Sequence, residues 1–421
     1  MRPFAVACSA LAALLLLTSC STLTDETLLS RGSEDPRAKD RLLVRTRRGL
    51  SVVDPLSGSS VVTRPRAIAS PDSSLLFSVS RRGGSAQVTT IDGISGRILR
   101  RTQAPSGLEA GVASPDGELL AYALPHEEGT TPWLPAGKRQ TTIAVAPTDA
   151  TDQSIEYYGL KGNFELEGFS TDGEQLFLLQ YQPAMNPTRY GLRRLQLDTG
   201  RVLRIREEKQ KAPGRMRGTG RIAAFSPSGH ELYTLYTQQG PNYAHGRTGE
   251  HKQGHVYAFV HLLNLEGAWT HCIDLRAPFG TGHVTTHAMT LSPDGERLYV
   301  ADPSSGGLAV IAPRETRVLR SVTLDLKALT RGAASATVGP DGRLFLGGGS
   351  DVLVIDGESL EVLERWDIGR PVAGLAASAD GRSLYVGAKN KLSVFDTATG
   401  ARTGSIRLPR MTELVELIPR A

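Results

Sequence analysis

Eight of the nine histidines in this 421-residue chain fall between positions 230 and 287: His230, His245, His251, His255, His261, His271, His283 and His287. Neutral imidazole is a common ligand for zinc, copper and nickel. His245, His251, His255 and His283, brought together on neighbouring loops, would form a divalent transition-metal site. No compact His-Glu-x-x-His motif joins them. His283 and His287 are four residues apart, but the intervening Val284-Thr285-Thr286 favours extended chain over helix. At ~3.3 Å per residue the two rings would then stand about 13 Å apart, too far to share an ion. In the run from His255 to His261, strand alternation places His255, Tyr257, Phe259 and His261 on one face, as sheet packing with polar tips requires. A structural or non-metal binding role is the leading reading of the cluster, with a bound metal as the alternative.

Other reactive residue types are scattered. His126, Glu127, Glu128 and Trp133 lie in one stretch, and Asn186 and Arg189 in another. Cys272 follows His271, but adjacent residues on a strand point to opposite faces, so a nucleophilic pair is disfavoured against a small buried hydrophobe. Arg201 to Arg221 holds eight Lys or Arg residues against Glu207 and Glu208, with Gly214, Gly218 and Gly220 beside them. A solvated edge explains such a run, and a basic loop that recruits an anionic ligand is the alternative. Gly347-Gly348-Gly349 is followed by no helix, so it reads as a strand-ending turn rather than a phosphate cradle. Gly-x-Ser-x-Gly, P-loop and His-Glu-x-x-His motifs are missing, which counts modestly against catalysis.

The elements that must position these residues are announced by a repeated turn. Its copies are Ser70-Pro71-Asp72-Ser73, Ser114-Pro115-Asp116-Gly117, Ser170-Thr171-Asp172-Gly173, Ser226-Pro227-Ser228-Gly229, Ser292-Pro293-Asp294-Gly295, Gly339-Pro340-Asp341-Gly342 and Ser378-Ala379-Asp380-Gly381. Pro presets φ, Asp bonds nearby backbone and Gly tolerates positive φ, which together make hairpin chemistry. A strand-like run follows each copy, such as Leu298-Tyr299-Val300. A third run often ends in Asp and a Gly turn, as in Leu392 to Asp396 with Thr399-Gly400, and a fourth closes the unit. Four short strands per repeat of roughly 40 to 50 residues is the signature of propeller blades. Leu42-Leu43-Val44, Leu50 to Asp54 and Val61-Val62-Thr63 supply three strands before the first repeat, and Leu414 to Ile418 one after the last. Joined, they make a composite blade that removes exposed edges. The expectation is an all-β propeller of eight four-stranded blades, with seven as the alternative, and nearly no helix.

Spacings between successive turn motifs are 44, 56, 56, 66, 47 and 39 residues, so blades two to four carry the insertions. In a propeller the loops from strand two to three, and from strand four to the next blade, emerge on one face. This puts 125–140, 182–190, 207–220, 238–254 and 276–286 on a common rim, where binding residues concentrate on a rigid scaffold. His126, Glu127, Trp133, Arg189, His245, His251 and His283 are the ligand-binding candidates.

Residues 288–409 resemble the YVTN/WD40-like bacterial extracytoplasmic propellers. The residues that carry this are Ser292 to Gly295 with Leu298-Tyr299-Val300, and Ala379-Asp380-Gly381 with Leu384-Tyr385-Val386, followed by Val394 to Gly400. The resemblance implies fold rather than activity, since the family hosts binding scaffolds, surface proteins and some enzymes.

At the N-terminus, Arg2 precedes an uncharged stretch from Phe4 to Leu17, then Leu17-Thr18-Ser19-Cys20. The apolar run is too short for a bilayer span and suits a signal peptide. The last four residues resemble a bacterial lipobox, which implies diacylation of Cys20. The expected organisation is a signal peptide over 1–19, a polar tether over 20–41 and one propeller over 42–421. Loss of Cys8 and lipidation of Cys20 would leave Cys272 alone, without a disulfide. The net charge of +5 suits anionic envelope polymers or headgroups, and nucleic acid is not an expected partner of an exported chain. The expected function is a non-catalytic module that binds an envelope protein, peptide or glycan and is held at the membrane by its N-terminal lipid. The alternatives are a lactonase-like or metal-assisted hydrolase using Glu127, Glu128, His245, His251, His255 and His283, and a metal-binding lipoprotein.

Overall fold

The repeated turn is held by a hydrogen-bond pattern that explains its serine. In the second copy the Ser114 hydroxyl donates to Asp116 and accepts from the backbone N–H of Leu119 at 2.9 Å. Asp116 accepts the Glu118 N–H at 2.9 Å, and Gly117 takes φ of 70°. The same serine-to-i+5 bond recurs at Ser70, Ser170, Ser226, Ser292 and Ser378. A second local device closes the third strand of several units: Asp396 accepts the N–H groups of Ala398 and Thr399, and Asp356 those of Glu358 and Ser359. Both are Asx- or ST-type turns that satisfy backbone donors where a strand stops.

These turns join strands in a computed structural model that describes residues 40–125, 128–131, 134–149, 154–207, 216, 218, 220–239, 256–280, 282, 284–330 and 332–418. The strands form eight antiparallel four-stranded sheets, one of them carrying an added fifth strand. Seven are consecutive in the chain. Blade three, for example, runs Asn163–Phe169, Gln175–Gln182, Arg189–Gln196 and Val202–Arg204, from channel to periphery. Blade four runs Gly220–Phe225, Glu231–Thr237, Ala258–Asn264 and Trp269–Leu275. The eighth is the composite. Met411–Leu417 is its innermost strand, paired with Leu42–Thr46, which pairs with Gly49–Val53 and then Ser60–Arg64. The propeller therefore has eight blades and closes by joining the two ends of the chain. Tyr385 donates to Asp40 at 2.6 Å, and the Ile418 N–H donates to the Arg41 carbonyl, which fixes the junction.

The core lies between blades rather than within any one. Leu235, Val260 and Ile273 of blade four pack on Leu298, Val300 and Ile311 of blade five. Val44 and Leu414 of the composite pack on Tyr385 and Val394 of blade seven. No α-helix occurs among the described residues.

Three local expectations need correction. Val284–Thr286 is not extended but forms a single 3₁₀ turn, because the chain must bend there to enter blade five. The blade-two insertion is not merely a loop, for Glu128–Thr131 pairs with Leu134–Pro135 as a small hairpin. Arg206–Glu207, read as part of the basic run and its loop, pairs parallel with Trp269–Thr270, so it supplies the fifth strand of blade four. An outer edge with unpaired backbone groups is the physical reason.

Candidate functional site

In the seven consecutive blades each innermost strand starts at the inserted face and ends at its copy of the repeated turn, while the second strand runs back. The register shows this directly: Gly220, first in its strand, faces Thr237, last in the next. The described parts of the inserted segments are hydrogen-bonded in sequence around this rim. The Lys138 N–H donates to the Ala184 carbonyl at 3.0 Å, and Asn163 donates to the Ala136 carbonyl at 2.9 Å. Tyr190 and Met216 exchange backbone bonds at 2.9 and 3.0 Å, and the Tyr190 hydroxyl donates to Gly218. The Gln238 N–H reaches the Gly280 carbonyl at 2.9 Å, and the Gly280 N–H reaches Asp302 at 3.0 Å. Blades two to five thus share one continuous rim.

Two polar clusters sit beneath it. Arg221, near the start of blade four, donates to both oxygens of Glu165 at 2.8 and 2.9 Å and to Glu167 at 3.0 Å. Glu165 also accepts the Tyr181 hydroxyl. Tyr181, Tyr190, Tyr236 and Phe259 follow as a ladder, with successive ring centroids 5.8, 5.7 and 5.3 Å apart. The side chain of Glu167 is 10% exposed. Burial pushes its carboxyl up to about 7, against the pull of Arg221 and with the help of Glu165. Burial would weaken the Arg221 guanidinium as an acceptor of charge, but the two carboxylates overcome this and hold it protonated. Burial likewise raises the Tyr181, Tyr190 and Tyr236 hydroxyls, so all three stay neutral. The arrangement neutralises its own cation and leaves one carboxyl that changes charge near neutral pH beside an aromatic wall.

The second cluster pins the entry to blade five. His287 Nε2 lies 3.0 Å from Asp302 Oδ2, and neither side chain has exposed surface. Asp302 also accepts Ser304 Oγ and the Gly280 N–H. Burial alone would raise its carboxyl, but His287, Ser304 and Gly280 together hold it well below the usual carboxylate range. Asp302 thereby ties together the two ends of the 280–287 segment.

Of the residues singled out from sequence, Arg189 opens the third strand of blade three, half-buried and opposite Gln182. Its Nε has no hydrogen-bond partner. His261 is buried with its ring edge-on to Tyr236 at 6.1 Å, and Cys272, its cross-strand neighbour, is buried and in no disulfide. His271 and Cys272 face opposite sides of the strand and both are buried. Cys20, His126, Glu127, Trp133, His245, His251, His255 and His283 lie outside the described residues, as does the metal reading built on four of them. Among the described residues no three His, Cys, Asp or Glu side chains are grouped to hold a metal ion. The Arg221 cluster was missed from sequence. The available signal was Glu165 and Glu167, two acids on the same face of a strand that had to be innermost.

The channel itself holds a cavity of about 660 Å³ near the opposite, turn-bearing end, where Ser70, Phe225, Leu291, Thr337, Ala377 and Leu417 contribute to the wall. Glu416 lines it too, its carboxyl raised by burial and bonded to Ser73.

No protein-family model and no curated protein matches the chain. Solved structures do. AztD from Citrobacter koseri, in its apo form, is 14% identical, with 90% of this chain and 97% of that one covered at a TM-score of 0.55. The dihydro-heme d1 dehydrogenase NirN is 15% identical, with 92% and 76% covered at a TM-score of 0.51. At such identities the likeness is one of fold: this chain is an eight-bladed β-propeller similar in architecture to both.

Proposed function

We propose that the chain is an envelope-tethered lipoprotein whose propeller acts as a non-catalytic binding module, with the inserted rim as its recognition surface for an envelope protein, peptide or glycan. The observation that carries this reading is the run of backbone hydrogen bonds that links the inserted segments of blades two, three and four. The longest spacings between turn motifs fall in three consecutive blades, and the described ends of their inserted segments share one face. Loops on a rigid frame are the usual place for recognition. The Arg221 cluster supports the reading as a scaffold, since a guanidinium bonded to two carboxylates orders the strand ends beneath the rim. The uncharged stretch from Phe4 to Leu17 ahead of Cys20 supports the anchor.

Photo-crosslinking in the native host tests the surface. A crosslinking residue at Arg189, on the rim, is expected to give discrete adducts, and one at Leu363, 52% exposed on the outer edge of blade six, is not. Equal labelling from both positions, or none from Arg189, overturns the assignment. Cys20→Ala is expected to move the protein from the membrane to the soluble extracytoplasmic fraction, and unchanged attachment removes the lipid anchor.

A further inference from the structure

A second site lies outside the channel, on the flank between two blades. A groove of about 490 Å³ runs between the outer strands of blades two and three. Lys161 enters it from the outermost strand of blade two, and Arg193 and Arg204 from the outer two strands of blade three. Cross-strand register aligns Leu178, Arg193 and Arg204 in one row. That row faces blade two, because Leu176, Leu178 and Leu195 pack there on Ile143, Tyr158 and Leu160. Two arginines are thus cross-strand partners on one sheet face, and like charges in that position are destabilising.

Two neighbouring arginines have side-chain acceptors. Arg194, on the other face of the same strand, bonds the Gln175 side chain at 2.7 Å, and Arg221 has two carboxylates. In the groove Arg193 reaches the Leu192 carbonyl at 2.7 Å, and no carboxylate is among the lining residues. Burial and the Arg204 charge both push the Arg193 guanidinium down, the sign of cations crowded without a counter-charge. Gly159 and Gly200 are also in the lining.

We propose that this groove is an oxyanion site that takes a phosphate or phosphate monoester between Arg193, Arg204 and Lys161. Guanidinium groups bind such oxygens through paired, charge-assisted hydrogen bonds. The bound anion would relieve the repulsion that the register creates. The site involves neither the channel nor the lipid anchor, and Lys161 places its upper end beside Gln140 of the rim.

The test titrates the full chain with sodium phosphate at constant ionic strength, set by sodium chloride, and follows the melting temperature. A saturable rise is expected. Arg204→Gln, at an exposed position, should melt higher than the unsubstituted protein without phosphate and respond to phosphate roughly tenfold or more weakly. Arg193→Gln should lose the response in the same way. Co-sedimentation of the Cys20→Ala chain with phosphatidylcholine vesicles, with and without phosphatidic acid, distinguishes the source of the anion. Binding that needs phosphatidic acid and is lost in Arg204→Gln assigns a lipid headgroup, and a phosphate response without vesicle binding assigns a soluble ligand. Absence of both responses, or their survival in Arg193→Gln and Arg204→Gln, overturns the site. So does an Arg204→Gln variant that melts no higher than the unsubstituted protein in phosphate-free buffer.

Discussion

Glu167→Gln separates two forces acting on the rim carboxyl, burial and attraction to Arg221. Burial dominates, placing the carboxyl at about 7 against an ordinary 4.5. The native state therefore holds this proton to a higher pH than the unfolded chain does. Between those two values the native state binds more protons, so stability falls as pH rises across the window and levels off above it. At ~1.36 kcal/mol per decade of pH, the gap corresponds to about 3 kcal/mol. Gln has the shape of the protonated acid and cannot ionise, and Glu165 still holds Arg221 at 2.8 Å. The variant should match the unsubstituted protein near pH 4.5 and exceed it near pH 8 by up to about 3 kcal/mol. Paired melting curves across that range, at fixed ionic strength, should show a difference that opens by several degrees as pH rises. A variant less stable than its parent near pH 8 would mean that Arg221 outweighs burial, and a difference independent of pH would mean the carboxyl does not titrate there. Either result refutes the reasoning.

Other perturbations act on the frame. Asp302→Ala leaves His287 and the Gly280 N–H without their buried acceptor, and should lower stability near pH 7 by about 3–5 kcal/mol in denaturant unfolding. Because the Asp302 carboxyl is held below its ordinary 3.8, its contribution is present above that value and disappears only as pH falls through the lower native one. A loss below about 1 kcal/mol would show the pair to be dispensable. Truncation after Arg410 removes Met411, Leu414 and Ile418, all at most 2% exposed, and bares the edge of Leu42–Thr46. At roughly 1.5–3 kcal/mol per buried side chain, the melting temperature should collapse, and an unchanged melt would mean the ring closes elsewhere. Gly374→Ala should destabilise more than Gly369→Ala, although both glycines have positive φ. A Cβ at Gly374 would meet the Leu414 carbonyl oxygen at 1.9 Å, whereas one at Gly369 meets nothing within 4 Å. Equal melting temperatures for the two variants would contradict the close approach of blade seven to the composite strand.

The fold was legible because its information is local and repeated. The turn motif, the run after it and the Asp-ended third strand each specify a hairpin, and their recurrence counts the blades. Even the junction of the two chain ends followed from three unpaired strands before the first unit and one after the last. The role of the serine was not evident, since its bond to the fifth residue onward appears only once the strands are paired. The clusters beneath the rim were harder still. Glu165 and Arg221 are 56 residues apart and meet only because consecutive innermost strands are neighbours. The lateral groove needed register: Arg193 and Arg204 look like two members of a basic run until pairing sets them face to face. The 3₁₀ turn at Val284–Thr286 shows the converse limit, where β-branched residues favoured extended chain and the entry angle of blade five decided otherwise.

The two faces of the ring are under different constraints, and this asymmetry bears on where specificity can reside. On the turn-bearing face the serine hydroxyl, the aspartate and the positive-φ residue are each committed to closing a hairpin, so almost any change there works against the fold. On the inserted face the fixed elements are the strand ends, pinned by Asp302 to Gly280 and by Arg221 to Glu165 and Glu167. What lies between those pins can vary in length and sequence without loosening the blades. A binding surface therefore changes on this face alone, because these bonded strand ends hold the rim's base in one geometry while the segments between them vary.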